Sequence, residues 1–322
     1  MTKTLNRREW LAWTPSAFAA GLAITSMPRC SMASERRSEN NSPFGFCLNT
    51  STIRDQGEPL TVDRQVAIAG AAGYQGIEPW IRDLDRYVEQ GGLLKDLRRR
   101  IEDAALSVES AIGFFPWAVD DDAERAKGLE EARRNLDMLR QLGGKRIAAP
   151  PSGATDRSDL DLLRLAERYR ALLELGEEFG VVPQVEVWGF SKTLSRLGEA
   201  AYVAIESGHP NACVLPDVYH IYKGGSDFQG LALLSGSAMQ VFHLNDYPDD
   251  PPRSEIRDAD RVYPGDGVAP LAQILQILED NGFRGMLSLE LFNPEYWKQD
   301  PLEVARTGLE KMKATVQAAD RG

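Results

Sequence analysis

Four short apolar runs in the second half of the chain each carry one ionisable residue at or near the carboxyl end: Val185-Glu186-Val187, Leu215-Pro216-Asp217, Phe242-His243-Leu244 and Leu289-Glu290-Leu291. A carboxylate among valines and leucines is costly to bury unless a cation or hydrogen-bond donors meet it. Taken singly, such a residue is as often a salt-bridged or hydrogen-bonded core group as a chemical one. Three carboxylates and one imidazole brought to one point would repel one another without a cation. An oxygen-rich set with one nitrogen suits Mn, Co, Mg or Zn and leaves positions for water or substrate oxygens, without choosing among these metals. Cys30, Cys47 and Cys213 are too widely spaced for a disulfide framework or a thiolate zinc site, so any metal is expected on oxygen and imidazole.

Other polar residues flank these runs. His220 follows Asp217 by three residues and is expected on the loop past the strand, facing the ligands from above; its bland alternative is an exposed loop histidine. His209 precedes a strand, at the wrong end, and reads as structural. Glu78, in Glu78-Pro79-Trp80, and Asp246, just after His243, are expected behind the ligands, orienting them. The segment Arg261-Val262-Tyr263-Pro264-Gly265-Asp266-Gly267 has the turn chemistry of a fixed loop, with Arg261 able to reach a substrate oxygen. The alternative is a plain surface turn whose arginine pairs with Asp258 or Asp260. Aromatic residues at the early strand ends, Trp80, Phe114, Phe115 and Trp117, read equally as core or as walls for a sugar.

The elements that must carry these residues alternate. Apolar or β-branched runs at 44–48, 75–78, 107–112, 146–149, 183–187, 212–215, 240–244 and 286–291 predict eight strands. Amphipathic stretches lie between them, such as 123–142 and 160–179, with glycine stops at Gly143-Gly144 and Gly180, and a last helix is predicted over 302–316. Eight βα units in about 280 residues predict an α/β fold, one (β/α)8 TIM barrel over residues 43–322. Such a barrel gathers the carboxyl ends of its strands at one mouth, so strands five to eight would bring Glu186, Asp217, His243 and Glu290 together. An open doubly wound sheet fits less well, because Asn49-Thr50-Ser51-Thr52 stands where a glycine-rich phosphate loop would follow the first strand.

The amino-terminal segment reads differently. Asn6-Arg7-Arg8-Glu9-Trp10-Leu11, an apolar stretch at 11–24 and the small-residue site Ser31-Met32-Ala33 make residues 1–33 a twin-arginine-type export signal, with Trp10 where phenylalanine is usual. The stretch is short of the ~20 residues of a membrane span. Residues 34–42 read as a disordered leader. The mature protein is therefore expected in the periplasm without a membrane span, and export after folding suits a protein that takes up its metal first. A formal charge of −11 with no basic block gives phosphate-backbone binding no electrostatic basis, so nucleic acid is not an expected partner.

At these residues the chain resembles the xylose isomerase-like barrels, a family of sugar isomerases and epimerases, and within it the inosose (2-keto-myo-inositol) isomerases. The resemblance runs through Gly73-Tyr74-Gln75-Gly76-Ile77-Glu78, Val185-Glu186, Asp217-Val218-Tyr219-His220, His243-Leu244-Asn245-Asp246, Asp260-Arg261-Val262-Tyr263-Pro264-Gly265-Asp266-Gly267 and Ser288-Leu289-Glu290-Leu291-Phe292-Asn293-Pro294-Glu295-Tyr296-Trp297-Lys298. It implies that Glu186, Asp217, His243 and Glu290 bind one divalent metal, that Glu186 and Glu290 also exchange the substrate's proton through an enediolate, and that His220 and Arg261 hold its oxygens. Return of the proton to the adjacent carbon isomerises; return to the opposite face epimerises. The implied partner is a keto-cyclitol or keto-sugar. Barrels of this kind often form homo-oligomers, which no residue pattern here decides. The endonuclease IV branch needs several more histidines than the three present. Two departures stand out: inosose isomerases are cytosolic, and Trp188-Gly189-Phe190-Ser191-Lys192 lacks the second acid of the ketohexose epimerases. The alternatives are a lyase acting on 3-keto-glycosides with the same metal, and a non-catalytic exported sugar-binding barrel in which Glu186 and Glu290 could be glutamine.

Overall fold

The computed structural model describes residues 42–320, so the export signal and nearly all of the leader read at 1–42 lie outside the described residues. Eight strands follow in order: β1 (Gly45–Asn49), β2 (Gly76–Glu78), β3 (Ser107–Val108), β4 (Arg146–Ala149), β5 (Val182–Glu186), β6 (Val214–Leu215), β7 (Val241–Leu244) and β8 (Met286–Leu289). All ladders are parallel, in the orders β3-β2-β1-β8-β7 and β4-β5-β6. Isolated contacts close the two seams, among them the bridges Val214–Met239 and Asp217–His243 between β6 and β7. Ala148 N donates to Ala111 O at 2.9 Å, joining β4 to the extension of β3, and His243 N donates to Pro216 O at 3.0 Å, joining β7 to the end of β6. The result is the expected eight-stranded barrel.

Several strands are shorter than their apolar runs, and β6 shows why. Pro216 has no N–H to give to a ladder, so regular pairing lapses after Leu215 and resumes as an isolated bridge between Asp217 and His243. The run at 107–112 is regular only over Ser107–Val108, with Ile112 bridging Trp80 farther on.

The outer layer holds α1 (Val62–Ala72), α2 (Ile81–Glu89), α3 (Leu94–Asp103), α4 (Asp122–Leu142), α5 (Leu162–Phe179), α6 (Leu197–Glu206), α7 (Val218–Gly224), α8 (Leu271–Asp280) and α9 (Pro301–Ala319). Their bounds follow local chemistry. Asp121, Asp161 and Asp300 cap α4, α5 and α9 by accepting backbone N–H bonds, and Gly143 and Gly180 end α4 and α5 in the left-handed conformation that glycine adopts without strain. No described helix is long and apolar enough to cross a membrane.

Strand parity decides what points where. Alternate residues share a face, so Leu48, Ile77, Val185, Leu244 and Leu289 join the large apolar layer under the helices. The other face is the barrel interior, where Ile112, Ala148, Leu215 and Val241 pack with Trp80 as a small second core. Above that plug, the same parity brings Asn49, Glu78, Glu186, Asp217, His243, Ser288 and Glu290 to the interior. The registers Asn49 with Glu78, Cys47 with Ser288, and His243 with Ser288 align these polar residues across neighbouring strands.

Candidate active site

His243 is fully buried on β7. Its Nε2 lies 3.0 Å from Glu78 Oε2, which also accepts from Ser288 Oγ at 2.8 Å and Asn49 Nδ2 at 2.9 Å. Burial works against the Glu78 carboxylate, but His243, Ser288 and Asn49 outweigh it and hold the carboxyl below its ordinary range. An ionised Glu78 assigns the imidazole proton to Nε2. The Nδ1 lone pair of the neutral ring then faces Glu290 Oε2 at 3.2 Å and Asp217 Oδ2 at 3.6 Å, and Nδ1 has no hydrogen-bond partner. One ligand atom each from Asp217, His243 and Glu290 lies within 4.8 Å of the other two.

This arrangement fits a divalent cation. The unpartnered buried Nδ1 and two carboxylate oxygens supply three donors, the number typical of catalytic sites with open positions. Glu78 behind the ring supplies the carboxylate that sets the tautomer of a metal-binding histidine. Without a cation, burial would depress the His243 imidazole, but Glu290, Glu78 and Asp217 outweigh it and hold it well above its usual value.

Glu186, the fourth expected ligand, is outside that 4.8 Å group. Its level on β5 is that of Leu215, two residues short of Asp217 on the neighbouring strand. Its carboxyl opens instead onto a cavity of about 360 Å³ that is also lined by Glu290, His220 and Arg261. Among the described residues it makes no side-chain hydrogen bond. Burial pushes its pKa up, His243 draws it back, and Glu290 and Asp217 push it further, so the group sits well above the ordinary carboxylate range.

Arg261 is not in a surface turn. It is 0% exposed, and its Nη1 donates to both Asp217 Oδ2 and Glu290 Oε2 at 2.9 Å. Its Nη2 donates to Asp258 Oδ1 at 2.5 Å and lies 3.1 Å from His220 Nε2. The guanidinium stacks 4.4 Å from the Tyr219 ring centroid. Asp246 holds the loop that delivers it: its carboxylate accepts the N–H groups of Tyr247, Gly265, Gly267 and Ala269 at 2.8–3.1 Å, while Asp246 and Val262 exchange backbone bonds.

His220 lies in the first turn of α7 rather than in a loop. Asp217 turns the chain into that helix by accepting the His220 N–H at 2.8 Å, and Asn245 ties Asp217 Oδ2 from the side at 3.0 Å. Burial, opposed by Asp217 and helped by Arg261, holds His220 below its usual pKa and therefore neutral. His209 is remote, before β6, with Nε2 at 3.3 Å from Glu177.

Two residues of the cluster had no counterpart among the residues expected from sequence. Asn49 donates to Glu78 and to Glu290 Oε1, the latter at 3.0 Å, and accepts from Trp80 Nε1 at 2.9 Å and Ser51 N at 3.0 Å. Its one sequence signal is its place at the end of the first strand. Ser288, the other, sits two residues before Glu290 and so on the same strand face.

A closed parallel barrel with a buried carboxylate–imidazole cluster at the carboxyl ends of its strands defines a TIM-barrel protein with a candidate metal centre. The sequence matches the xylose isomerase-like TIM barrel family over residues 66–315, and the chain belongs to that family. An inosose isomerase of Bacillus velezensis is 30% identical over 282 residues, covering 84% of this chain and 96% of that protein. A 3-dehydroshikimate dehydratase of Pseudomonas aeruginosa is 27% identical over 244 residues, covering 72% of this chain and 36% of that protein. The crystal structure of the IolI protein with a bound zinc atom superposes with a TM-score of 0.77 at 22% identity, covering 86% of this chain and 99% of that one.

Proposed function

We propose that the chain is a metal-dependent isomerase of a keto-cyclitol or keto-sugar, working by proton exchange at a carbon next to the carbonyl. One observation carries the reading: the unpartnered His243 Nδ1 between Asp217 and Glu290, with Glu186 on the cavity that Glu290 also lines. The similarity to an inosose isomerase over nearly its whole length supports the same reaction class. Held by Asp217, His243 and Glu290, a divalent ion of the Mn, Co, Mg or Zn type would polarise the substrate ketone and acidify the neighbouring C–H.

The protein's own groups do the rest. Glu186 carries no hydrogen bond that would tie up its oxygens, and burial together with the neighbouring Glu290 and Asp217 carboxylates makes it more basic than an ordinary carboxylate. It is the principal base. Glu290 is the second carboxyl at the cavity, but Asn49 and Arg261 occupy its two oxygens, which suits holding more than proton transfer. Arg261 and neutral His220, both lining the cavity, hold substrate oxygens. Return of the proton to the adjacent carbon gives the isomer; return to the other face gives the epimer.

Elimination is the second reading, favoured by the similarity to a dehydratase. The same proton removal next to a ketone would expel a leaving group from the following carbon, as in a lyase acting on 3-keto-glycosides. The reading includes export: a twin-arginine signal at 1–33 would carry the folded, metal-loaded barrel to the periplasm.

Solvent-deuterium exchange followed by NMR tests the proposal, using keto-inositols, ketohexoses and 3-keto-glucosides with added Mn²⁺ or Co²⁺. Deuterium entering next to the carbonyl, abolished by EDTA and reduced about 10²–10⁴-fold by Glu186→Gln, is the expected result. Exchange that persists at the full rate in EDTA or in Glu186→Gln overturns it, and loss of an aglycone would favour elimination.

A further inference from the structure

The cavity has two unlike halves. Its ionisable residues are Glu186, His220, Arg261, Glu290 and Asp258, and all but Asp258 are buried at its floor. The remaining walls are largely aromatic: Trp80, which also packs on the barrel plug, Phe114, Trp188, Phe190, Phe292 and Trp297. Most of these rings are in mutual contact, with centroids 5.5 Å apart for Trp80 and Phe114, 5.8 Å for Phe114 and Trp188, 4.8 Å for Trp188 and Phe190, and 6.0 Å for Trp80 and Phe292. Two of them are braced. Arg82 lies over Trp80 at 4.1 Å and Arg54 over Trp297 at 4.5 Å, while the two indole N–H groups donate to Asn49 and to Ser51 O.

A bare ring polyol carries a hydroxyl on nearly every carbon, so it can stack only a C–H face on these rings, and any hydroxyl pressed against them would lose its water without gaining a partner. The collar is nonetheless maintained at the mouth, with Phe114 38% and Phe190 47% exposed, where packing alone gives no reason for large aromatic side chains.

Building on the isomerase reading, we infer that the substrate is a ring polyol ketone bearing a flat apolar substituent, with the polyol on the ionisable floor and an aryl-type group stacked in the aromatic collar. A second sugar in that place is disfavoured, because of the lining residues above the floor only Asp258 and the Trp188 indole could hydrogen-bond its hydroxyls.

Isothermal titration of the metal-loaded protein with phenyl β-D-glucopyranoside, methyl β-D-glucopyranoside and cellobiose tests this. The phenyl glucoside is expected to bind about tenfold more tightly than either of the others. Phe190→Ala and Trp188→Ala, which change side chains at the open end of the cavity, are expected to bring the phenyl and methyl affinities together. Equal binding of the phenyl and methyl glucosides, no measurable binding of the phenyl glucoside, cellobiose binding as tight as the phenyl glucoside, or a preference untouched by both variants would each overturn the inference. Deuterium exchange into a bare keto-cyclitol tests the isomerase reading separately: exchange without phenyl preference removes only the aryl subsite, and phenyl preference without exchange removes only the isomerase.

Discussion

His243 serves two masters at its two nitrogens. The Nε2 proton goes to Glu78, and the Nδ1 lone pair goes to the space shared with Asp217 and Glu290. The arrangement makes Glu78 a positioning residue, since an acceptor at that place keeps the proton on Nε2, and an anionic one also raises the basicity of the ring nitrogen left for a cation. Replacing it tests this directly. Glu78→Gln keeps the shape but removes the charge, and the affinity for Zn²⁺ or Mn²⁺ is expected to fall about 10–100-fold, read by competition with a chromophoric chelator. Unchanged affinity would mean that the Glu78 charge does not support a metal-binding His243. Asn49 has the companion role on Glu290: its amide bonds Oε1 while Trp80 and Ser51 fix which way the amide points.

At the scale of elements, the loop from Arg261 to Ala269 matters because it carries the one buried guanidinium at the described site. Four backbone N–H groups from Tyr247 and from this loop converge on Asp246, two on each carboxylate oxygen. An amide in its place would turn an NH₂ toward two of those N–H donors. Asp246→Asn is therefore expected to destabilise the fold by about 1.5–3 kcal/mol, measured by urea unfolding, and to weaken substrate binding through a displaced Arg261. A variant as stable as the parent would show that the loop is held by other contacts. Gly267 belongs to the same device, since a Cβ there would come within 2.3 Å of Asp246 Oδ1. The short α7 is a second example. Its first turn exists because Asp217 caps it, and the cap also orients the carboxylate toward His243.

For the whole molecule, the barrel joins residues far apart in sequence, so a cation held at the site would couple to its stability. Asp217, Glu290 and His243 come from three strands, so an ion held by all three ties β6, β7 and β8 together. Free metal at about 100 times its Kd is expected to add about 2.7 kcal/mol, which raises Tm by about 5 °C. Scanning calorimetry with Zn²⁺ or Mn²⁺ against EDTA reads this, and Asp217→Asn should remove most of the shift. A Tm that ignores every divalent ion would overturn the metal centre.

The sequence by itself determined the alternation of strands and helices, the carboxyl-end positions of Glu186, Asp217, His243 and Glu290, and the glycine ends of α4 and α5. All of these depend on local periodicity and capping, which a chain expresses within a few residues. Asn49 and Ser288 stayed illegible because a polar residue at a strand end or among strand residues resembles a solvated one. Only closure of β1 between β2 and β8 brings Asn49 between Glu78 and Glu290, the latter 241 residues away. The separation of Glu186 from the other three followed from the β5–β6 register, and the burial of Arg261 followed from the backbone cage of Asp246. Register and closure are relations between distant segments, so only the tertiary structure decided which of these acids meet around His243 and which one faces the cavity without a hydrogen bond.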